Sequence, residues 1–279
     1  MLLHVAIVSR SHNQVAANKL IIEGAKAGNR EMFNDGLKKL NAYFEDILEI
    51  FNLMWNESIP KNYLNFRTFI MGVQGNDEIF PNKMLYKGCY DNVPQAFRGE
   101  TGAQDSIIPA TDSALGLVYP QNQLTQYLWE LRAYRPFPHQ EYVSNLAKAS
   151  KEHEVASFAM KDSHSAYLML VCMHQTFAFR HMHWGMVKKY IHDNTKYAKA
   201  TGGTPITTWL PNQMGACLEM CQNFISSIDA GKLSPEVKAD YVVRKDTIET
   251  QIANLFAEVQ GLQKDFKNQE HEQFTTRKK

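Results

Sequence analysis

Apolar positions recur at helical spacing along most of this chain. Leu37, Leu40, Phe44, Ile47, Leu48 and Phe51 fall three and four residues apart, which marks one face of an amphipathic helix. Lys61 to Met71 predicts a second helix, opened after Pro60 and ended by Gly72 and the polar run Gly75 to Asp77. Residues 76–111 break the pattern, with Pro81, Gly88, Pro94, Gly99, Gly102 and Pro109 and little periodicity. A loop of that length inside a compact domain usually carries function or wraps a site. Helical signal returns from Asp112 to Ala133 and stops at Pro136-Phe137-Pro138, and His139 to Ala149 predicts a further helix. Ser163 to His192 is apolar on more than one face, as expected of a buried central helix. The last helix opens with Ser234 as N-cap and Pro235 at the first helical position. Its residues Ile248, Ile252, Leu255, Val259, Leu262 and Phe266 follow the seam spacing of a helix packed on a partner helix.

No strand-period pattern, repeat or low-complexity tract interrupts this. The expected fold is all-α: one helical domain over residues 1–230, and a C-terminal helical extension over 231–279 packing on that domain or on a partner subunit.

Charge and composition narrow the function. Thirty basic and 29 acidic side chains leave a net charge of +1, which argues against a nucleic-acid partner held by bulk charge. No run approaches the roughly 18 apolar residues that span a bilayer, so no membrane partner is expected. MLLHVAIVSRSH has no basic residue ahead of its apolar run and no small-residue cleavage site, so the expected location is cytoplasmic. Of Cys89, Cys172, Cys217 and Cys221, only the last two are close, at i,i+4 on a helix, and they read as reduced thiols. The 12 Met, 10 His and 11% aromatic residues change the picture more, because such a chain can line a large apolar pocket and still supply metal ligands.

Histidine is therefore the first candidate. In FRHMHWGMVKKYI, Arg180 and His183 are i,i+3 and share a helix face bordered by Phe179, Val187 and Tyr190, while His181 points elsewhere. An imidazole on an apolar face with an Arg one turn away suits a haem site: axial ligation of iron, and a guanidinium pairing with a propionate. The plain alternative is a satisfied core histidine. Thr201-Gly202-Gly203-Thr204 allows unusual backbone conformations and could hold a carboxylate or ammonium, or be an ordinary loop. Arg67, among Phe66, Phe69, Ile70 and Met71, could clamp a carboxylate or snorkel at a surface. Asp112 could cap a helix or partner a buried Arg. His12, in SRSHN, is either an active-site group or a surface residue. No GxSxG or HExxH motif is present.

Taken in order, six segments resemble the indoleamine 2,3-dioxygenase family, within the wider tryptophan dioxygenase superfamily. They are FRTFIMGVQGN (Phe66 to Asn76), LYKGCYDN (Leu85 to Asn92), TGAQDSIIPATDSALGL (Thr101 to Leu117), LRAYRPFPHQEY (Leu131 to Tyr142), RHMHWGMVKKYI (Arg180 to Ile191) and TGGT (Thr201 to Thr204). The resemblance implies an all-helical domain binding b-type haem, with O2 as co-substrate. It places the proximal ligand at His183, the propionate-binding Arg at Arg180, and its supporting Asp at Asp112. It places the substrate-carboxylate clamp at Arg67, with Tyr63 nearby, and the turn beside haem and substrate at Thr101 and Gly102. Thr201, Gly202, Gly203 and Thr204 match a mobile loop over the amino-acid end of the substrate. The distal group falls on His12, or on Ser11 or Asn13.

The family's small N-terminal domain, which roofs the pocket, is expected to be missing, and the helix from Ser234 extends past the familiar members. The activity implied is insertion of O2 into the C2–C3 bond of tryptophan or a related indole. A haem-dependent monooxygenase or oxidase of another small aromatic or amine is one alternative, and a non-catalytic haem binder is another. A homodimer is expected, because the last helix's seam needs a partner and the pocket a lid.

Overall fold

The computed structural model describes residues 2–102, 105–121, 123–191, 194, 200–203 and 206–276, with side chains for all of these except 68, 123–124, 206–209 and 259–276. The chain runs through α1 (Leu2–Ser9), α2 (Ser11–Ala27), α3 (Arg30–Asn52), α4 (Met54–Glu57), α5 (Pro60–Phe69) and α6 (Ile107–Leu115). It continues through α7 (Gln123–Arg132), α8 (Phe137–Glu152), α9 (Val155–Met160), α10 (Ser163–Tyr190), α11 (Ile206–Ser227) and α12 (Pro235–Thr276). Among the described residues there is no strand, only one isolated bridge between Met84 and Gln95. The all-α class expected from periodicity is the observed one.

Helix α10 is the axis of the molecule. Leu168, Met169, Leu170, Val171, Cys172 and Met173 are all buried, because the helix is covered by α3, α11 and α9 and touched by α5 and α6. Its start is fixed by Asp162, whose carboxylate accepts from the Ser165 backbone N–H at 2.8 Å. Leu37, Leu40, Phe44 and Ile47 of α3 turn inward together, as their spacing predicts. The predicted helix over Asp112 to Ala133 is two helices: α6 ends at Gly116, whose φ of +72° closes the helix in a left-handed cap, and α7 starts only at Gln123. Asp112 is therefore interior to the last turns of α6.

Helix α12 begins at Pro235 as read from sequence, with the Ser234 hydroxyl accepting from the Val237 N–H at 3.4 Å. It lies along α10 and α11. Tyr241 and Ile248 enter the core, Tyr167 donates to Asp240 at 2.8 Å, and Trp184 Nε1 donates to Glu258 at 3.0 Å. Val259, Leu262 and Phe266 of the predicted seam have side chains outside the described set. Cys172, Cys217 and Cys221 are buried and Cys89 is exposed, all unpaired thiols. No helix among the described residues is long and apolar enough to cross a membrane.

Candidate haem and substrate cavity

A cavity of about 340 Å³ opens between α1, α3, α4, α5, α6, α7, α10 and α11. That volume is within the roughly 300–1,000 Å³ of small-molecule and cofactor sites. Its walls are mainly apolar: Phe51, Leu128, Phe179, Met186, Val187 and Leu210 contribute. His183 and Arg180 reach it from the same face of α10, as their i,i+3 spacing requires. The His183 ring lies beside Phe51, with centroids 6.3 Å apart. Burial, helped by the positive charge of Arg180, pushes the His183 pKa down to about 4, so the imidazole is neutral at physiological pH.

Arg180 is anchored from behind. Its Nη2 donates to Asp112 Oδ2 at 2.6 Å and to the Tyr119 hydroxyl at 2.5 Å, and Tyr119 donates in turn to Asp112 at 2.6 Å. Burial opposes the guanidinium charge, yet Asp112 and Tyr119 hold Arg180 firmly protonated. Burial also raises the Tyr119 hydroxyl well above its ordinary range, which keeps it a donor. The other Arg180 contacts are long, with Nε to Gln213 at 3.5 Å and Nη1 to the Cys217 sulfur at 3.4 Å. Since a guanidinium carries five N–H donors, this leaves capacity for an anion at the cavity edge. Asp112 Oδ1 is buried without a hydrogen-bond partner.

These residues fit a haem. The described residues hold no cluster of three or more His, Cys, Asp or Glu able to bind a bare metal ion. A single neutral imidazole in an apolar cavity, with an arginine on the same wall, suits iron already held by a porphyrin carrying carboxylates.

The structure distributes the other expected site residues unevenly. Asp112, Gly102 and Tyr63 line the cavity, and burial raises the Tyr63 pKa against the pull of Arg67. Arg67 is buried, 4% exposed, but is not part of the cavity wall. Thr101, Gly202 and Thr201 also lie off it. Thr201 donates from its hydroxyl to the Glu100 carbonyl at 2.5 Å and accepts from the Gly72 N–H at 3.0 Å. The Gly202 carbonyl accepts from Arg98 at 2.8 Å. Residues 201–203 are thus tied to 72 and to 98–100; Thr204 lies outside the described residues.

His12 is not brought to the cavity. It sits in the first turn of α2, exposed, with Nδ1 3.1 Å from the Ser9 carbonyl. The reason is the face of α2: Gln14, Ala17, Asn18 and Ile21 point inward and His12 and Asn13 outward, while Ser11, half-buried at the start of the helix, is not part of the wall. The N-terminal residues that do line the cavity are Leu3, His4 and Ile7 of α1, joined by Asp105 ahead of α6. His4 Nε2 is 3.4 Å from Asp105 Oδ2. Sequence reasoning missed this pair. Its signal was the helical spacing of Leu3, His4 and Ile7, hidden in a segment that is apolar on most sides.

The family model for indoleamine 2,3-dioxygenase matches residues 1–217. Indoleamine 2,3-dioxygenase 1 of Rattus norvegicus is 29% identical over 171 residues, 60% of this chain and 41% of that protein. The 6-hydroxytryptophan 2,3-dioxygenase fscD of Fusarium equiseti is 27% identical over 172 residues, 60% of this chain and 41% of that protein. A protein named myoglobin from Haliotis madaka is 25% identical over 173 residues, 61% of this chain and 45% of that protein. The match thus spans less than half the length of these curated relatives. With its family model covering most of the sequence, the chain belongs to the indoleamine 2,3-dioxygenase family.

Proposed function

We propose that this protein is a haem-dependent oxygenase that inserts O2 into the C2–C3 bond of tryptophan or a related indole. The observation that carries this reading is the convergence of a neutral His183 and an Asp112-anchored Arg180 on one apolar cavity. Family membership supports it, as do two relatives whose names state dioxygenase activity.

Each residue then has a definite task. His183 would hold a b-type haem through its imidazole nitrogen. Arg180 would pair with a propionate, and Asp112 with Tyr119 fixes the guanidinium in place. When bound, the haem iron supplies the activation of dioxygen. Phe51, Phe179, Met186 and Val187 exclude water and leave room for a flat aromatic substrate. The electron-rich indole ring is itself the nucleophile, so no strong general base is required of the wall. The Gly102 turn and Tyr63 border the substrate. Arg67 and residues 201–203 would reach it only by rearranging from the positions described.

Product mass tests the reaction. Haem-loaded protein with a reductant, O2 and tryptophan or another indole should give a product heavier by two oxygen atoms. A gain of one oxygen atom would replace this reading with the monooxygenase alternative. The relative named myoglobin favours a second reading, a non-catalytic haem binder. Haem-loaded protein that binds O2, shows no Soret shift with any indole and yields no product would establish it.

A further inference from the structure

Helix α10 can present His183 to the cavity only if its rotation is fixed, because a turn of the helix about its own axis swings the imidazole away. The core encloses α10 over Leu168 to Met173. Its last turns are more open, with His181 and Lys189 exposed. Polar contacts hold this stretch from two sides. On the cavity side, the Tyr190 hydroxyl bonds the Met54 and Ser58 carbonyls at 2.9 and 2.8 Å. On the other side stands Glu258 of α12. Its Oε1 accepts from Trp184 Nε1 at 3.0 Å and from the Lys188 ammonium.

Trp184 and Lys188 are i,i+4 and share a helix face. A single carboxylate from α12 therefore ties two successive turns of α10. The Lys188 ammonium also stands 5.7 Å from the centre of the Trp184 ring. Trp184 is buried, 2% exposed, and a buried indole N–H needs an acceptor. Glu258 supplies it from beyond residues 1–217, where the family match ends. The ion pair itself adds little stability, since Lys188 and Glu258 are 38% and 29% exposed at the side chain. The contact matters more for orientation: Trp184 directly follows His183, so a shift of the indole shifts the backbone that carries the imidazole.

We propose, building on the haem reading, that Glu258 is a positioning residue, which through the Trp184 indole fixes the turn of α10 from which His183 would hold the iron. A ligating group must be kept within about 0.5 Å of its productive place, and its own rotamer alone does not ensure this.

Resonance Raman of the ferrous, haem-loaded protein tests this through the iron–histidine stretch, which reports the geometry of that bond. In Glu258→Ala the band should shift or broaden. Haem transfer to an excess of apomyoglobin should quicken roughly tenfold, the scale on which loss of an orienting outer-shell group weakens metal binding. Trp184→Phe keeps an aromatic ring and loses the N–H, and should repeat both effects. Tyr167→Phe is the control. It removes another bond between the same two helices, to Asp240 at 2.8 Å, at the opposite end of α10, and should leave the band in place. An unchanged band and release rate in Glu258→Ala would overturn the proposal. An equal shift in Tyr167→Phe would also overturn it, by tracing the effect to a general loosening of α12. Failure of the unmodified protein to take up haem would sink the haem reading and the role of Glu258 with it. Normal uptake with an unmoved band in Glu258→Ala would sink the role of Glu258 alone.

Discussion

At the scale of single residues, the decisive feature is the Arg180–Asp112–Tyr119 group behind the cavity. All three are buried, with Arg180 and Asp112 each 4% exposed at the side chain. Burying charges is costly unless they are paired, so the value of Asp112 is mainly that Arg180 would be intolerable without it. Asp112→Ala strips Arg180 of its counter-charge and Tyr119 of its acceptor. It should cost about 3–5 kcal/mol, as breaking buried pairs generally does, measurable by denaturant unfolding of the haem-free protein. Arg180 and His183 were legible in the sequence because i,i+3 spacing in one helix fixes a shared face. Asp112 was legible as a candidate partner, but pairing across 68 residues depends on how α6 meets α10. The same limit applied to His12. Its residue type suggested chemistry, but only the packing of α2 could say which face it occupies. His4 had only its helical spacing with Leu3 and Ile7 to single it out, in a segment apolar on most sides.

Among elements, the segment between α5 and α6 shows how a non-periodic stretch can still be tightly built. Gly72 lies where its N–H reaches the Thr201 carbonyl, and a Cβ there would overlap the Gly99 backbone. Gly72→Ala must push 72, 98–99 and 201 apart, and should lower the melting temperature clearly while leaving helix content unchanged by circular dichroism. The sequence marked this stretch as a functional loop without revealing that three separate segments meet there.

Helix α1 offers a pH prediction. The bond from Asp105 raises the His4 pKa above its ordinary 6.5, despite burial, and Asp105 is lowered below its ordinary 3.8. A raised histidine stabilises the fold fully below 6.5 and loses that contribution as pH rises through its folded value. A lowered carboxylate contributes fully above 3.8 and loses it as pH falls through its folded value. Both terms are intact between these limits, so α1 should be held most firmly from about pH 4 to 6.5 and loosen above neutrality. His4 is more than half exposed and Asp105 partly so, and solvent screening should hold the pair's effect to at most about 1 kcal/mol. Amide hydrogen exchange of Leu3 to Ile7, corrected for the intrinsic rate, should show protection falling between pH 6 and 8.5; flat protection, or protection that rises, would contradict the assignment.

For the whole molecule, recurring helical spacing, the lack of a strand-period pattern and the apolar faces of α10 were enough to read an all-α protein built around one buried helix. What the pattern could not give was the crossing of distant elements. The family match ends at residue 217, inside α11, yet α12 packs on α11, bonds to α10 through Gln251 and Glu258, and buries Ile248 in the same core. The cavity is likewise a property of the assembly, since eight helices from α1 to α11 contribute to it. Its occupation by haem on His183 is the central claim. The most direct measurement is haem titration of the purified protein and of His183→Ala, followed by absorbance in the Soret region. The account predicts saturable uptake by the unmodified protein with the spectrum of a histidine-ligated b-type haem, and loss of that spectrum in His183→Ala despite a native fold by circular dichroism. An identical spectrum and stoichiometry in His183→Ala would contradict it.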